Sequence, residues 1–327
     1  MKIKKAVFVI LASAIPVLLT GCFAINDAKV KYAESMAVLD VDYNGEVIRD
    51  LVYGDNPRNL YDLYLPEDVS GDGARHLILF IHGGSWTSGS KEDGEAYCRN
   101  YAAHGYTSAS ISYTLYDGDN TPTILTINQE VRAAVVAIEA KCAELGIMLK
   151  DMAVSGFSAG ACQAMMYGFN TACAYEDVPV RFIIQMSGPT SFEPSIWRSS
   201  DVHWAVRKRT GLDGSREGDA AWISMFSGKT VTPDMVGTPE AEAVWREISP
   251  YTYITSGSVP VLSAYGVHDG IVPPVSRVIL EDALEKNGVP HDTVLMQHSG
   301  HALVSDVDKQ REYLDLVYRY CAEWFRD

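Results

Sequence analysis

Apolar and polar positions follow two alternating periods along most of the chain. Residues 76–82, HLILFIH, hold a continuous apolar run between two histidines, the pattern of a strand buried on both faces. Further strands are expected at 151–157, 180–187 and 259–266, at the β-rich TSASISY of 107–113, and at DTVLMQ, 292–297. Between them lie stretches with helical spacing. Val131, Val135, Ile138, Cys142 and Leu145 step by 4, 3, 4 and 3, which predicts a helix over 126–145. Further helices are expected at about 159–170, 274–287 and 304–325. Strands alternating with helices imply right-handed crossovers and a mostly parallel sheet covered on both faces, an α/β fold. EVIRDLVYG and LYDLYLP, near residue 50, predict an antiparallel hairpin added at one edge. Residues 189–255 break the rhythm. They lack a clear strand and hold four of the six tryptophans, Trp197, Trp204, Trp222 and Trp245. This segment reads as a cap inserted over the C-terminal edge of the sheet, or as a long crossover whose tryptophans anchor surface helices.

The chain has 327 residues, 47% of them hydrophobic, enough for a sizeable core. No internal repeat or low-complexity tract interrupts it. The net charge of -15 argues against a nucleic-acid partner. Cys98, Cys142, Cys162, Cys173 and Cys321 match no zinc-site or CxxC spacing, so they are expected chiefly as small buried hydrophobes. No metal or organic cofactor is implied.

The N-terminus changes the picture of location. MKIKK is a basic start, and AVFVILASAIPVLL is an apolar stretch of signal-peptide length, too short and too interrupted at Pro16 to span a bilayer. It ends in LTGC, residues 19–22, which resembles the bacterial lipobox. By that resemblance Cys22 is the lipidated first residue of an exported protein, held on a membrane surface. A plain secretory signal with a chance cysteine is the alternative. Residues 1–21 are thus expected as a signal peptide, 22–45 as a tether and 46–327 as the folded domain.

The candidate chemistry centres on GFSAGA, residues 156–161. Ser158 follows an expected strand and opens an expected helix. In that context a GxSxG turn pushes the serine up at the C-terminal edge of the sheet. A serine hydroxyl needs a base. His301, in HSGHAL, falls between the last strand and the last helix, so it can reach the same edge; His298 is its local competitor. Asp269 directly follows the strand VPVLSAY and is the candidate carboxylate, although an aspartate before Gly270 also suits an ordinary turn. The chain order Ser158, Asp269, His301 is that of a nucleophile-elbow hydrolase. HGGSW, residues 82–86, follows a central strand, so Gly83 and Gly84 are candidate oxyanion donors together with the N–H of Ala159 at the helix start. His82 is expected to brace that loop. Trp86 and Tyr113 either wall a substrate group or pack beneath the cap.

YDLYLP (61–66), HGGSWTSGSK (82–91), GFSAG (156–160), HDGIVP (268–273) and GHAL (300–303) together resemble, in order, an α/β-hydrolase of the bacterial esterase group related to hormone-sensitive lipase, near its feruloyl- and acetyl-esterase-like members. The likeness covers about 46–326. It implies the α/β-hydrolase fold, the triad Ser158, Asp269 and His301, and the oxyanion donors Gly83, Gly84 and Ala159. Two positions depart from the family pattern: Ala161 stands where relatives often have glycine, and Glu130 where aspartate is frequent. The implied substrate is a small-molecule or polysaccharide ester. An amide-cleaving relative of the arylformamidase kind shares the same elbow. A binding lipoprotein on an inactive hydrolase scaffold is the reading from a different class. Neither the acyl group, the alcohol nor the oligomeric state is legible. If Cys22 carries the anchor, Cys22→Ala releases the protein from membranes on fractionation with its specific activity unchanged; a variant that stays with the membrane contradicts this.

Overall fold

The computed structural model describes residues 22–117, 120–172, 174–198, 207 and 211–325. The expected signal peptide, Cys173, His203 and Trp204 lie outside the described residues. Eight strands form one sheet: β1 (Val47–Val52), β2 (Leu60–Tyr64), β3 (His76–Ile81), β4 (Thr107–Ile111), β5 (Asp151–Phe157), β6 (Val180–Met186), β7 (Val261–Gly266) and β8 (His291–Met296). Their order is β1-β2-β4-β3-β5-β6-β7-β8. β1 and β2 pair antiparallel at one edge, and β2 runs against β4. Every pairing from β4 onward is parallel. This is the mostly parallel sheet with an edge hairpin that the hydrophobic pattern predicts.

The two-residue period of β3 explains how one apolar run serves two cores. Leu77, Leu79 and Ile81 pack into one cluster with Val131, Val135 and Ile138 of α3 (Ile124–Glu144) and with Met165 of α4 (Ala159–Phe169). Ile78 and Phe80 face the other way. They meet Cys98 and Tyr101 of α2 (Glu95–Ala103) and Tyr313 and Val317 of α9 (Val307–Trp324). α8 (Val275–Asn287) adds Leu280 and Leu284 to the first cluster. Cys98, Cys142, Cys162 and Cys321 are free and buried, as small apolar residues would be. Burial raises all four thiols above their ordinary range.

Three segments depart from, or refine, the sequence reading. Residues 22–45, expected as a tether, contain α1 (Cys22–Ala37), a helix with neither glycine nor proline in its sequence. It is joined to the body: Gln310 Nε2 donates to Ser35 Oγ at 2.6 Å, and Asn100 Nδ2 donates to the Leu39 carbonyl at 3.1 Å. α2 has no counterpart among the expected elements, because Asn100 is buried on it and blurs its apolar stripe. Residues 189–255 carry no strand among the described residues. They hold α5 (Pro194–Trp197), α6 (Arg216–Ser227) and α7 (Pro239–Glu247). Trp197 and Trp222 are buried there and donate their indole N–H groups to the Ser191 and Phe192 carbonyls. They anchor the segment. No helix among the described residues is long and apolar enough to cross a membrane.

The edge hairpin is tied down by charge. Lys91 is buried, and its Nζ lies 2.9 Å from Asp50, 2.8 Å from Asp62 and 2.8 Å from Glu92. Asp62 is fully buried and also accepts from Arg49 at 2.9 Å. Removing one member of such a group leaves an uncompensated buried charge. Lys91→Met is therefore expected to lower stability by about 3 kcal/mol in urea denaturation; a loss under about 1 kcal/mol would show the network to be incidental.

Candidate active site

Ser158 sits at the turn between β5 and α4 with φ 54° and ψ -119°, a left-handed backbone that a residue with a Cβ adopts only under constraint. Such a conformation costs about 1–3 kcal/mol and persists where its surroundings impose it. The surroundings here are specific. The Ser158 N–H donates to the Met186 carbonyl at 2.8 Å, tying the turn to β6. A Cβ at Gly156 would lie 2.4 Å from the Gly160 backbone, and one at Gly160 would lie 2.0 Å from the Ile81 carbonyl oxygen. Both glycines of the GxSxG turn are thus required by contact.

The three expected partners meet at this point. His301 Nε2 is 2.8 Å from Ser158 Oγ, and His301 Nδ1 is 2.8 Å from Asp269 Oδ2. The other carboxylate oxygen of Asp269 accepts from the Ile271 and Val272 N–H groups at 2.8 and 2.9 Å. Asp269 is 3% exposed, so its charge faces the imidazole and two amides with little water to screen it. Nδ1 faces a carboxylate and therefore carries the ring proton, which leaves Nε2 free to accept from the serine hydroxyl. His298 is elsewhere. Its ring is exposed and bonds Asp306 at 2.7 Å. Asp306 also accepts from the Ser299 hydroxyl at 2.6 Å. Burial works to raise the Asp306 carboxyl, but the bonds from Ser299 and His298 outweigh it and hold it below the usual carboxylate range. This pair braces the base of the loop that carries His301.

The loop after β3 approaches the serine from the other side. A Cβ on Gly83 would lie 3.2 Å from Ser158 Cβ. Among the described residues no backbone acceptor takes the N–H of Gly83 or Gly84. Ala159 opens α4, so its N–H belongs to the first turn, which lacks intrahelical acceptors. These three donors are candidates for a developing oxyanion. His82 fixes the orientation of one of them. Its Nδ1–H donates to the Gly83 carbonyl at 2.6 Å. In a trans peptide the carbonyl and the following N–H point in opposite directions. The Gly84 N–H is therefore turned away from His82. Burial pushes the His82 imidazole down to about 4, so it stays neutral near pH 7.

Trp86 and Tyr113 are packing residues. The Tyr113 ring stacks on His82, with centroids 4.2 Å apart, and its hydroxyl donates to the His82 carbonyl at 3.1 Å. Trp86 packs against Phe192 and Phe226 under the inserted segment. Two supporting residues add to this picture, and only Ser187 is absent from the sequence reading. Ser187, just past β6, donates its hydroxyl to the His301 carbonyl at 3.0 Å. Glu130 accepts from the Thr114 N–H and hydroxyl at 2.8 and 2.6 Å, pinning the segment beyond Tyr113. Its departure from aspartate thus keeps a contact. A small residue after a buried strand was the available signal for Ser187. Among the described residues no cluster of His, Cys, Asp and Glu could hold a metal ion.

Comparison with known proteins adds the lineage. The BD-FAE family model matches residues 61–284, more than half of the chain. The chain belongs to the BD-FAE family. This is a hormone-sensitive-lipase-like family of α/β-hydrolases. Esterase LipC of Mycobacterium tuberculosis is 25% identical over 226 residues, covering 69% of this chain and 52% of that protein. A probable isoprenylcysteine alpha-carbonyl methylesterase, ICME, of Oryza sativa subsp. japonica is 32% identical over 278 residues, covering 79% of this chain and 59% of the relative. The BD-FAE chain thus spans a little over half the length of these two curated relatives. Esterase B from Lactobacillus rhamnosis superposes with TM-score 0.66 at 17% identity, covering 92% of each chain. A truncated carbohydrate esterase from gut microbiota gives TM-score 0.64 at 16% identity, over 85% of this chain and 96% of that one. These superpositions bear out the α/β-hydrolase fold.

The buried neutral state of His82 has a pH signature. The unfolded chain binds this proton near pH 6.5 and the folded chain near 4, so stability falls as pH drops through that window. Between pH 7 and 4.5 the loss is roughly 2 kcal/mol. Urea denaturation at the two pH values should show that loss shrinking by a similar amount in His82→Asn; an unchanged pH slope would contradict it.

Proposed function

We propose that this BD-FAE protein is a serine carboxylesterase with Ser158 as nucleophile, His301 as general base and Asp269 as the carboxylate that orients it. The observation that carries the reading is the pair of 2.8 Å contacts joining Asp269, His301 and Ser158. Ser158 attacks the ester carbonyl as its proton passes to His301 Nε2. Asp269 stabilises the imidazolium. The tetrahedral oxyanion is received by the N–H groups of Gly83, Gly84 and Ala159. Each donor of this kind is worth about 3 kcal/mol of transition-state stabilisation. His301 then returns the proton to the leaving alkoxide, and water releases the acyl group from Ser158 by the reverse sequence.

Beside Trp86 the space between Ile124, Ile127 and Phe226 has a cavity volume of about 10 Å³, no more than a single water needs. The protein's own aromatics fill the ground next to the Gly83–Gly84 loop. An acetyl or aryl ester as substrate is a reading supported by the sequence resemblance to feruloyl- and acetyl-esterase-like proteins. We further propose export and attachment to a membrane surface through Cys22, a reading supported by the LTGC sequence at residues 19–22.

Ser158→Ala is expected to lower kcat on 4-nitrophenyl acetate by roughly 10⁴-fold or more, with the unfolding midpoint little changed. A variant that keeps most of its turnover would remove Ser158 from the reaction.

A further inference from the structure

Two consecutive non-glycine residues in the loop after β3 have left-handed backbone: Ser85 at φ 54° and Trp86 at φ 58°. They follow Gly84 at φ 106°, and the loop leaves at Gly89 with φ 94°. Part of its hold is internal. The Gly84 carbonyl accepts from the Thr87 and Ser88 N–H groups at 3.0 and 3.1 Å. Those bonds close the turn on itself, but they do not fix it relative to Ser158. That requires ties to the sheet. The Tyr116 N–H supplies one, donating to the Trp86 carbonyl at 2.8 Å.

Another tie comes from a charged side chain outside the motif. Arg58 lies just before β2, far from the triad in sequence. Its Nη2 donates to the Gly89 carbonyl at 2.5 Å, and its Nε donates to the Tyr113 carbonyl at 3.1 Å. One planar guanidinium thus bridges the exit of the donor loop and the strand-end residue whose ring stacks on His82. Its own backbone is set by an Asn56 side chain that accepts from the Arg58 N–H at 2.9 Å. Among the described residues no carboxylate lies within ion-pairing distance of it, so its bonds go to these two carbonyls. The charge also acts on His82, where it adds to burial in disfavouring the protonated ring.

We propose that Arg58 is a positioning residue that holds the Gly83–Gly84 donors in register with Ser158, by clamping the Gly89 and Tyr113 carbonyls and keeping the His82 peptide contact in place. The inference rests on the carboxylesterase reading. It predicts an effect on the transition state more than on substrate binding. Loosening a positioning shell by a fraction of an ångström to an ångström costs up to about 100-fold in rate.

The test compares the full chain with Arg58→Gln and Arg58→Lys, on 4-nitrophenyl acetate and with a trifluoromethyl ketone that forms a reversible adduct with an active-site serine. Arg58→Gln should lower kcat and weaken the ketone together, each by roughly 10- to 100-fold, with KM changed less than about threefold. Arg58→Lys keeps the charge and loses the fork, so it should recover part of both losses. Assays run well below each variant's unfolding midpoint, and if the glutamine variant does not fold, the lysine variant alone must show the paired loss. Unchanged kcat and ketone affinity overturn the inference, as does a loss confined to KM. Ser158→Ala serves as the separate control: if it stays active, the esterase reading itself fails, whatever Arg58 does.

Discussion

A Cβ at position 160 would lie 2.0 Å from the Ile81 carbonyl oxygen. That contact sets how closely the start of α4 packs beneath the end of β3. β3 and β5 are neighbours, paired through Ile81 and Gly156, so their C-terminal ends emerge side by side. Because Gly160 lets the helix come this near, the serine turn and the donor loop share one rim. The strained backbone of Ser158 is then the consequence of a chain that must leave a strand and enter a helix with no room to spare. The same closeness brings Gly83 beside Ser158, where a Cβ on Gly83 would lie 3.2 Å from the serine Cβ.

The remaining pieces are fixed from the opposite half of the sheet. β6, β7 and β8 follow β5 in order, and each delivers one loop to the rim. Ser187 leaves β6, Asp269 leaves β7, and His301 follows β8. Their mutual bonds, with the Asp306 brace behind them, locate the imidazole before any substrate arrives. Preorganisation of this kind is what makes a polar site effective, because the donors need no reorientation as charge develops.

Much of this was legible in the chain. Buried parallel strands are continuous apolar runs, and helices carry a 3.6-residue period, so the alternation was readable at 76–82 and 126–145. The residues of the proposed triad sit in short motifs at strand ends, where topology constrains them; Ser158, Asp269 and His301 could be named for that reason. The supporting shell was not. Arg58 and Ser187 act through partners remote in sequence, and no local period marks them; Glu130 stood out only as a departure from the family pattern, without its Thr114 partner. Helix α1 was missed because a segment after a lipobox-like cysteine invites a tether reading, while its packing depends on Gln310 and Asn100 far along the chain. Trp86 and Tyr113 stood open between two roles, and only their ring contacts decide for packing.

The most direct measurement of the central claim is covalent labelling of the full chain with a fluorophosphonate, followed by mass spectrometry of the modified peptide. An imidazole within hydrogen-bonding reach of the hydroxyl predicts a single adduct on Ser158 whose formation slows sharply in His301→Asn. Absence of label on Ser158, or labelling at the same rate without His301, would contradict it.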